Sequence, residues 1–492
     1  MDGTTWTFVA FAAYLLVVIG LGIVSARRSS GGVTEYFLAG RRLSRLVVAL
    51  SAVVSGRSAW LLLGFAGTAY QRGFSAVWAT VGYIAVEAVL FLSFALRLRR
   101  FSERYDVLTV PDFLSVRFGG SRALRGVTSL VILFFLVLYV GAQLLSGGKT
   151  LAPSFGIETT PAVLATAAIV LVYTVLGGFL AVSLTDLVQA FVMIAGLVVL
   201  PVVCVVRAGG FGPLFDGLAA IDPTLPDPTA IAIGAAIGLV GIGLGSPGQP
   251  HIVARYMAID DPRQLRFAAL VGTAWNVLMA GGALLIGLAG RLRYPSADAL
   301  PGGDPEVIYL VLAGDVLPPV LFGVVVASVF AAIMSTADSQ VLVCASSVVR
   351  DVYCGLLGRG KGASAASLVR LSRVVVAGVV VAALALGFLA EKSIFWLVLL
   401  AWGGLGAALG PVTILALFWR RATAAGAVAG VVTGTLVTVA WDASGRSFYE
   451  LIPGFLAATV ACVVVSLATR PPADVAARFA AMDGEEPEGD RT

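Results

Sequence analysis

Runs of predominantly apolar residues recur along the whole chain. The first spans Trp6 to Ala26, and others follow at 46–68, 74–96, 124–147, 160–181, 187–206, 229–249, 267–289, 309–345, 373–390, 394–418, 423–441 and 450–468. Most are close to the ~20 residues that a helix needs to cross a hydrocarbon layer about 30 Å thick. The pattern therefore predicts an all-α polytopic membrane protein of about thirteen transmembrane helices. The 309–345 window is too long for one crossing and is expected to emerge on one side. No basic residue precedes the first run, and it is longer than the core of a signal peptide, so it reads as a retained helix.

The places where polar residues interrupt these runs carry the functional information. Phe330 to Ser347 reads FAAIMSTADSQVLVCASS, setting Ser335, Thr336, Asp338 and Gln340 inside an apolar helix. An unpaired hydroxyl or carboxylate in lipid is costly, so such residues face a bundle interior and mark an ion or solute path. Hydroxyls can also bond back to carbonyls one turn earlier, which accounts for a lone serine but not for Asp338. Ser335 and Thr336 offer the hard oxygen ligands that replace the hydration shell of a small cation.

Two runs are broken near their middles. The second contains SAVVSGRSAW, with Gly56 and Arg57, and the seventh GIGLGSPGQPH, with Pro247 and Pro250 among glycines. Paired interruptions at matching positions in two halves point to a secondary transporter built from inverted repeats, because unwound backbone offers carbonyls and helix ends to solute and ion. Glycine and proline also merely kink membrane helices, which is the plainer reading of either break alone. The breaks lie five runs apart, an odd number, which inverts the second half. The repeats then cover roughly 46–206 and 229–418 within a transmembrane domain of 1–470, with the first, twelfth and thirteenth helices as additions. Backbone oxygens near Val54 and Arg57, the Ala332 carbonyl and the Ser335 and Thr336 hydroxyls could close a five-oxygen cation site.

Composition agrees with a membrane protein. Of 492 residues, 59% are hydrophobic and 12% charged, with a mean hydropathy of +0.97, whereas soluble domains carry about 25% charged residues. The 33 Lys and Arg against 28 Asp and Glu do not gather on one segment, so they read as loop topology and give no nucleic-acid footprint. Basic loop residues favour one side by roughly three to one. The heavier group includes Arg41, Arg99, Arg117, Arg255, Lys361 and Arg421, the lighter one Arg72, Lys149 and Lys392. This predicts an N-terminus outside and a C-terminus in the cytoplasm, in the cytoplasmic (inner) membrane. Residues 471–492 lose the apolar pattern, end in GEEPEGD, and read as a solvated, disordered tail without an output domain. Four scattered cysteines and one histidine, His251, show no metal-ligand spacing and no nucleophile–base arrangement, which speaks against a zinc site and an intramembrane enzyme. His251 reads as packing or capping at the inner end of the seventh helix.

Four segments carry a family likeness: SAWLLLG at 58–64, YTVLGGFLAVSLTDLVQA at 173–190, GQPHIVARYMA at 248–258 and AAIMSTADSQVLV at 331–343. Together, over nearly the whole chain, they resemble the sodium:solute symporter family and, within it, the sodium/proline symporter branch. The resemblance implies the five-plus-five inverted-repeat fold of amino-acid/sodium symporters. It also implies alternating access and uptake of a small organic solute, such as an amino acid or a related carboxylate, driven by sodium that is carried rather than tightly held. By position it assigns sodium ligands to the backbone oxygens of Val54, Arg57 and Ala332 and to the hydroxyls of Ser335 and Thr336. It assigns the ion's exit path to Asp186, at the cytoplasmic start of the sixth helix, together with Asp338. The candidate solute contacts are Arg57, Ser58, Tyr139, Ile242, Ser246 and Pro250.

The chain also departs from that branch. Where the branch looks like SDMSGW, this chain has Ser55-Gly56-Arg57-Ser58-Ala59-Trp60, so an aspartate is lost and an arginine gained. Where aromatic residues line the proline pocket, it has Ile242 and Ser246, which predicts a roomier pocket less suited to a pyrrolidine. A guanidinium cannot be neutralised in a protein, so Arg57 must pair or reach water, with Glu87, Asp186 and Asp338 as buried candidates. Paired with Asp338 it would act as a built-in cation, making transport proton-coupled or cation-independent. Facing the cavity it would clamp a carboxylate, and otherwise it is a structural ion pair. A solute sensor on a transporter fold is a further alternative. Oligomeric state and the solute itself are not readable from these residues.

Overall fold

The structure, a computed structural model, describes residues 3–28, 33–360, 362–389, 393–446 and 448–485. Lys361 and Lys392, two of the predicted loop charges, lie outside the described residues, as do 486–492. The described residues form helices and contain no strand, with a single isolated bridge between Leu43 and Ile259.

Ten helical stretches are long and apolar enough to cross a membrane. One, Arg45–Arg104, has 60 residues. At 1.5 Å per residue it would extend ~90 Å, three times the hydrocarbon thickness. It is divided at Gly73, whose φ of 66° few other residues tolerate. Any Cβ there would also lie 2.2 Å from the Leu225 carbonyl oxygen. The second crossing therefore runs from Arg45 to Arg72 and the third from Val77 to Arg104. Two shorter apolar helices, Thr159–Val175 and Ile233–Gly248, supply the fifth crossing and the first part of the seventh. The total of about thirteen agrees with the apolar runs.

The remaining crossings are Gly3–Arg28 (first), Arg122–Phe155 (fourth), Phe179–Arg207 (sixth), Leu265–Arg293 (eighth), Pro319–Ser346 (ninth), Ala365–Leu389 (tenth), Ile394–Phe418 (eleventh), Ala424–Ala443 (twelfth) and Leu451–Ala468 (thirteenth). The overlong ninth run resolves as expected. A short helix, Ile308–Val316, stops before Pro318, and the crossing starts afresh at Pro319. Burial ranks the helices. The most apolar window of the eleventh is 89% buried and that of the ninth 78%, against 28% for the first and thirteenth. The ninth and eleventh are thus the core of the bundle, and the first and thirteenth lie at its rim.

Three sequence expectations need correction. The sixth crossing begins at Phe179, directly after Gly178 at φ 80°, so Asp186 lies two turns inside the helix and is fully buried. Arg99, Arg117 and Arg255, counted as loop charges, are also buried. Arg99 Nε donates to the Ile259 carbonyl at 2.8 Å, and Arg117 Nε to the Ala416 carbonyl at 2.8 Å. Guanidinium groups satisfy orphan carbonyls at helix ends as well as they face water. Finally, the segment expected as a solvated tail includes a helix, Val475–Asp483. Its buried Phe479 ring sits 4.9 to 5.7 Å from the guanidinium groups of Arg97, Arg117 and Arg420. The Asp483 carboxylate pairs with Arg97 and its carbonyl accepts from Arg100.

Candidate functional site

The second crossing breaks at Ser58, whose φ of 40° and ψ of −174° lie outside the helical region. Such a backbone costs on the order of 1–3 kcal/mol and persists only where its surroundings hold it. The fourth crossing does so. Gln143 Oε1 accepts the Ala59 N–H at 3.1 Å, and the Tyr139 hydroxyl donates to Ser58 Oγ at 3.4 Å. Ser58 Oγ also accepts the Trp60 N–H at 3.1 Å. The seventh crossing breaks as a tight-turned segment, Ile242–Gly248, followed by extended Gln249 and a new helix, Pro250–Ala258. Proline at the first helical position has no N–H to leave unpaired. Here the eleventh crossing supplies the missing donors: Trp402 Nε1 bonds the Ile242 carbonyl at 2.8 Å and Thr413 Oγ1 the Pro247 carbonyl at 3.2 Å. Irregular backbone at membrane depth is tolerated only when satisfied in this way.

The polar turn of the ninth crossing packs against the first of these breaks. Ser335 Oγ lies 3.4 Å from the Val54 carbonyl oxygen and 3.1 Å from that of Ala332. Thr336 Oγ1 donates to the Ser55 carbonyl at 3.0 Å. Oxygens at about 2.3–2.6 Å from a hard cation lie roughly 3.4 Å from their neighbours in its shell, so these groups have the spacing of a ligand set. The structure thus brings together Val54, Ala332, Ser335 and Thr336, adds the Ser55 carbonyl, and leaves the Arg57 carbonyl engaged with the Trp60 N–H.

Directly adjoining is a fully buried polar ladder. Asp186 Oδ2 accepts from Ser51 Oγ at 2.5 Å, from Ser55 Oγ at 3.3 Å and from Arg255 Nη2 at 3.0 Å. Arg255 also donates to Ser51 Oγ at 2.8 Å, to Ser339 Oγ at 2.5 Å and to the His251 carbonyl. Ser339 Oγ closes the chain on the Ser335 carbonyl at 2.7 Å. Asp338 stands beside it, with Oδ1 accepting the Ser339 N–H at 2.6 Å and no bond to Arg57. His251, rather than ending a helix, lies just past the seventh-crossing break with its ring edge-on to Tyr139.

Arg57 and Glu87 form a second buried ion pair. The guanidinium lies 3.8 Å over the Tyr83 ring, and the other Glu87 oxygen accepts from Asn276 Nδ2 at 2.8 Å. Arg57, Tyr139 and Ile242 line one pocket with Trp60, Tyr83 and Trp402, contracted to about 10 Å³. Four rings, Trp60, Tyr83, Tyr139 and Trp402, thus stand around Ile242. Ser246 reaches Glu87 at 3.5 Å. Pro250 is placed elsewhere, lining a small space of about 20 Å³ with Phe37 and Met257 toward the opposite end. Beyond Ile242 and Leu399, a cavity of about 340 Å³ opens past Phe395 and Tyr449 to Arg72 and Asp304.

Sequence reading passed over Ser51, Gln143, Arg255 and Asn276 as site residues. For Ser51, Gln143 and Asn276 the available signal was the one that exposed Ser335, a lone polar side chain inside an apolar run, whereas Arg255 lies beyond its run and gave none.

A model of the sodium:solute symporter family matches residues 36–434. The chain is 37% identical over 457 residues to the high-affinity proline transporter of Bacillus subtilis, covering 92% of this chain and 96% of that one. It is 37% identical over 491 residues to the sodium/proline symporter of Escherichia coli, covering 98% and 97%. Among solved structures, the substrate-bound outward-open state of a Na+-coupled sialic acid symporter superposes with a TM-score of 0.80 at 19% identity, over 96% of this chain and 99% of that one. At that identity the likeness is one of fold.

Proposed function

The chain belongs to the sodium:solute symporter family, and on that premise we propose that it takes up a small amino acid of the proline kind, or a related carboxylate, together with sodium. It is a multi-pass membrane symporter rather than an enzyme, and sodium is its coupling ion. One observation carries the assignment of the coupling site. The hydroxyls of Ser335 and Thr336 meet the backbone oxygens of Val54 and Ser55 where the second helix is about to break. On this reading sodium bridges the second and ninth crossings, its binding favours the arrangement that holds solute, and release inward follows Asp186 and Asp338.

The loop-charge bias supports an N-terminus outside and a C-terminus in the cytoplasm, with repeats over roughly 46–206 and 229–418. In that orientation the 340 Å³ cavity at Arg72 and Asp304 faces outward and the small space at Phe37 and Met257 faces the cytoplasm. The solute lies between them, at the pocket of Arg57, Tyr139, Trp60 and Trp402 beside Ser58, Ile242 and Ser246. The alternative of a built-in cation is weakened by the direction of Arg57. Its side chain reaches Glu87 and Tyr83, and no oxygen of the proposed sodium site accepts from it.

The test is uptake of labelled amino acids and small carboxylates into proteoliposomes, with an inward sodium or proton gradient imposed separately. Accumulation driven by sodium and lost in Ser335→Ala and Thr336→Ala is the expected result. Accumulation driven only by protons, or equilibration indifferent to either gradient, would refute the coupling assignment.

A further inference from the structure

The Arg57–Glu87 pair joins the second and third crossings at the wall of the solute pocket, and it is only partly saturated. Arg57 is 1% exposed and Glu87 3%. Arg57 Nε, Trp60 Nε1 and the Tyr83 hydroxyl are buried on that wall and make no hydrogen bond among the described residues. Behind Glu87, Asn276 Oδ1 is likewise without a partner. Native interiors keep few such atoms, because a buried polar group without a partner costs what its desolvation cost. Three of them, Arg57 Nε, Trp60 Nε1 and the Tyr83 hydroxyl, belong to residues that line this one pocket. Glu87 stands behind that lining as the acid that holds Arg57, its two oxygens taken by Arg57, Ser246 and Asn276.

Gly56 keeps this arrangement open. A Cβ at residue 56 would lie 2.9 Å from Ile252 Cδ1 and 3.8 Å from Glu87 Oε1. A carboxylate on the second crossing there would have to displace the end of Ile252 and would stand against Glu87, so the acid that pairs with Arg57 comes from the third crossing.

We propose that Arg57 and Glu87 form a paired headgroup receptor for a zwitterion, opening around the solute so that its carboxylate bonds Arg57 and its ammonium bonds Glu87. This rests on the reading of the chain as an amino-acid symporter and adds Glu87 as the residue that demands a positive charge on the solute. Before binding, the two side chains neutralise each other. A solute with both charges replaces one pair by two and leaves no charge unmatched. A solute with one charge strands either Glu87 or Arg57 in a buried site, where an unpaired ion is strongly disfavoured. Asn276 acts through Glu87 as a positioning residue, holding the carboxylate at the pocket edge while Arg57 turns to the solute.

The test uses three five-membered rings in the proteoliposome assay: L-proline, cyclopentanecarboxylate with the carboxylate alone, and pyrrolidine with the ammonium alone. Wild type is expected to carry L-proline and to reject each of the other two by at least about 100-fold, equivalent to ~2.7 kcal/mol for the one charge each leaves stranded. Glu87→Gln should lower L-proline uptake at least tenfold and raise cyclopentanecarboxylate relative to it, while Arg57→Met should move the ratio toward pyrrolidine. The Arg57→Met, Glu87→Gln double variant, which leaves no unpaired buried charge, should fold even if the single variants do not and should lose discrimination among the three rings. Ratios unchanged from wild type in the double variant would overturn the proposal. So would a wild type that accumulates only carboxylates lacking an amino group, although the symporter reading would then stand. A wild type that accumulates nothing under either gradient overturns the symporter reading itself.

Discussion

Each broken helix buries an arginine and pairs it with an acid on a neighbouring crossing, yet the two pairs are built differently. On the seventh crossing, Arg255 meets Asp186 of the sixth with both side chains wholly buried. Two serine hydroxyls and a carbonyl take up its other donors. On the second crossing, Arg57 meets Glu87 of the third, stacks on a tyrosine and leaves Nε free of partners. A buried charge held from every side is a fixed strut, and one held from a single side can exchange its partner. The first pair underlies the proposed sodium site, where a fixed geometry is needed. The second faces the solute, where exchange is the function.

That contrast is broken most severely at the fixed pair. Asp186→Ala strands Arg255 in the interior, and removing one partner of a buried pair costs ~3–5 kcal/mol. Its thermal unfolding midpoint in detergent should fall further below wild type than that of Arg57→Met, Gly56→Ala or Glu103→Gln, and a midpoint equal to wild type would show that Arg255 finds water or another acid. Arg57→Met should cost less, ~1–3 kcal/mol, because Asn276 and Ser246 remain beside Glu87. Combined with Glu87→Gln it should recover most of that loss, and a double-mutant cycle measures the coupling. Gly56→Ala should destabilise by a similar ~1–3 kcal/mol through its contact with Ile252. If it instead stabilises, the second crossing has slack that the geometry does not show. The smallest effect belongs to Glu103, which is 61% exposed and pairs with buried Arg99. Glu103→Gln should shift stability by less than ~0.5 kcal/mol, as surface pairs do.

The same two arginines measure how far the sequence could be read. Arg57 stood out because glycine and a charge interrupt an apolar run, and its partner Glu87 was among the few acids in such runs. Arg255 lies beyond the end of its run at 249 and looked like a loop charge. Only the extended break at Gln249, which lets a fresh helix start at Pro250, carries it inward to Asp186. The crossings themselves were legible because lipid imposes a length on every apolar helix. The boundary at Gly178 was not, since one glycine between two apolar helices leaves no polar loop to see. Nor was the docking of Val475–Asp483, whose Phe479 buries itself among arginines while Met482 joins the apolar core.

The central claim is that sodium is held by Ser335 and Thr336 against the second-crossing backbone. It is tested most directly by the unfolding midpoint of purified protein in sodium chloride against choline chloride at equal ionic strength. A ligand at 100 times its Kd stabilises the folded state by ~2.7 kcal/mol. Wild type should therefore melt higher in sodium. Arg57→Met, which keeps its carbonyl, should retain the sodium effect, and Ser335→Ala and Thr336→Ala should lose it. An equal rise in the two hydroxyl variants, or none in wild type, would contradict the account.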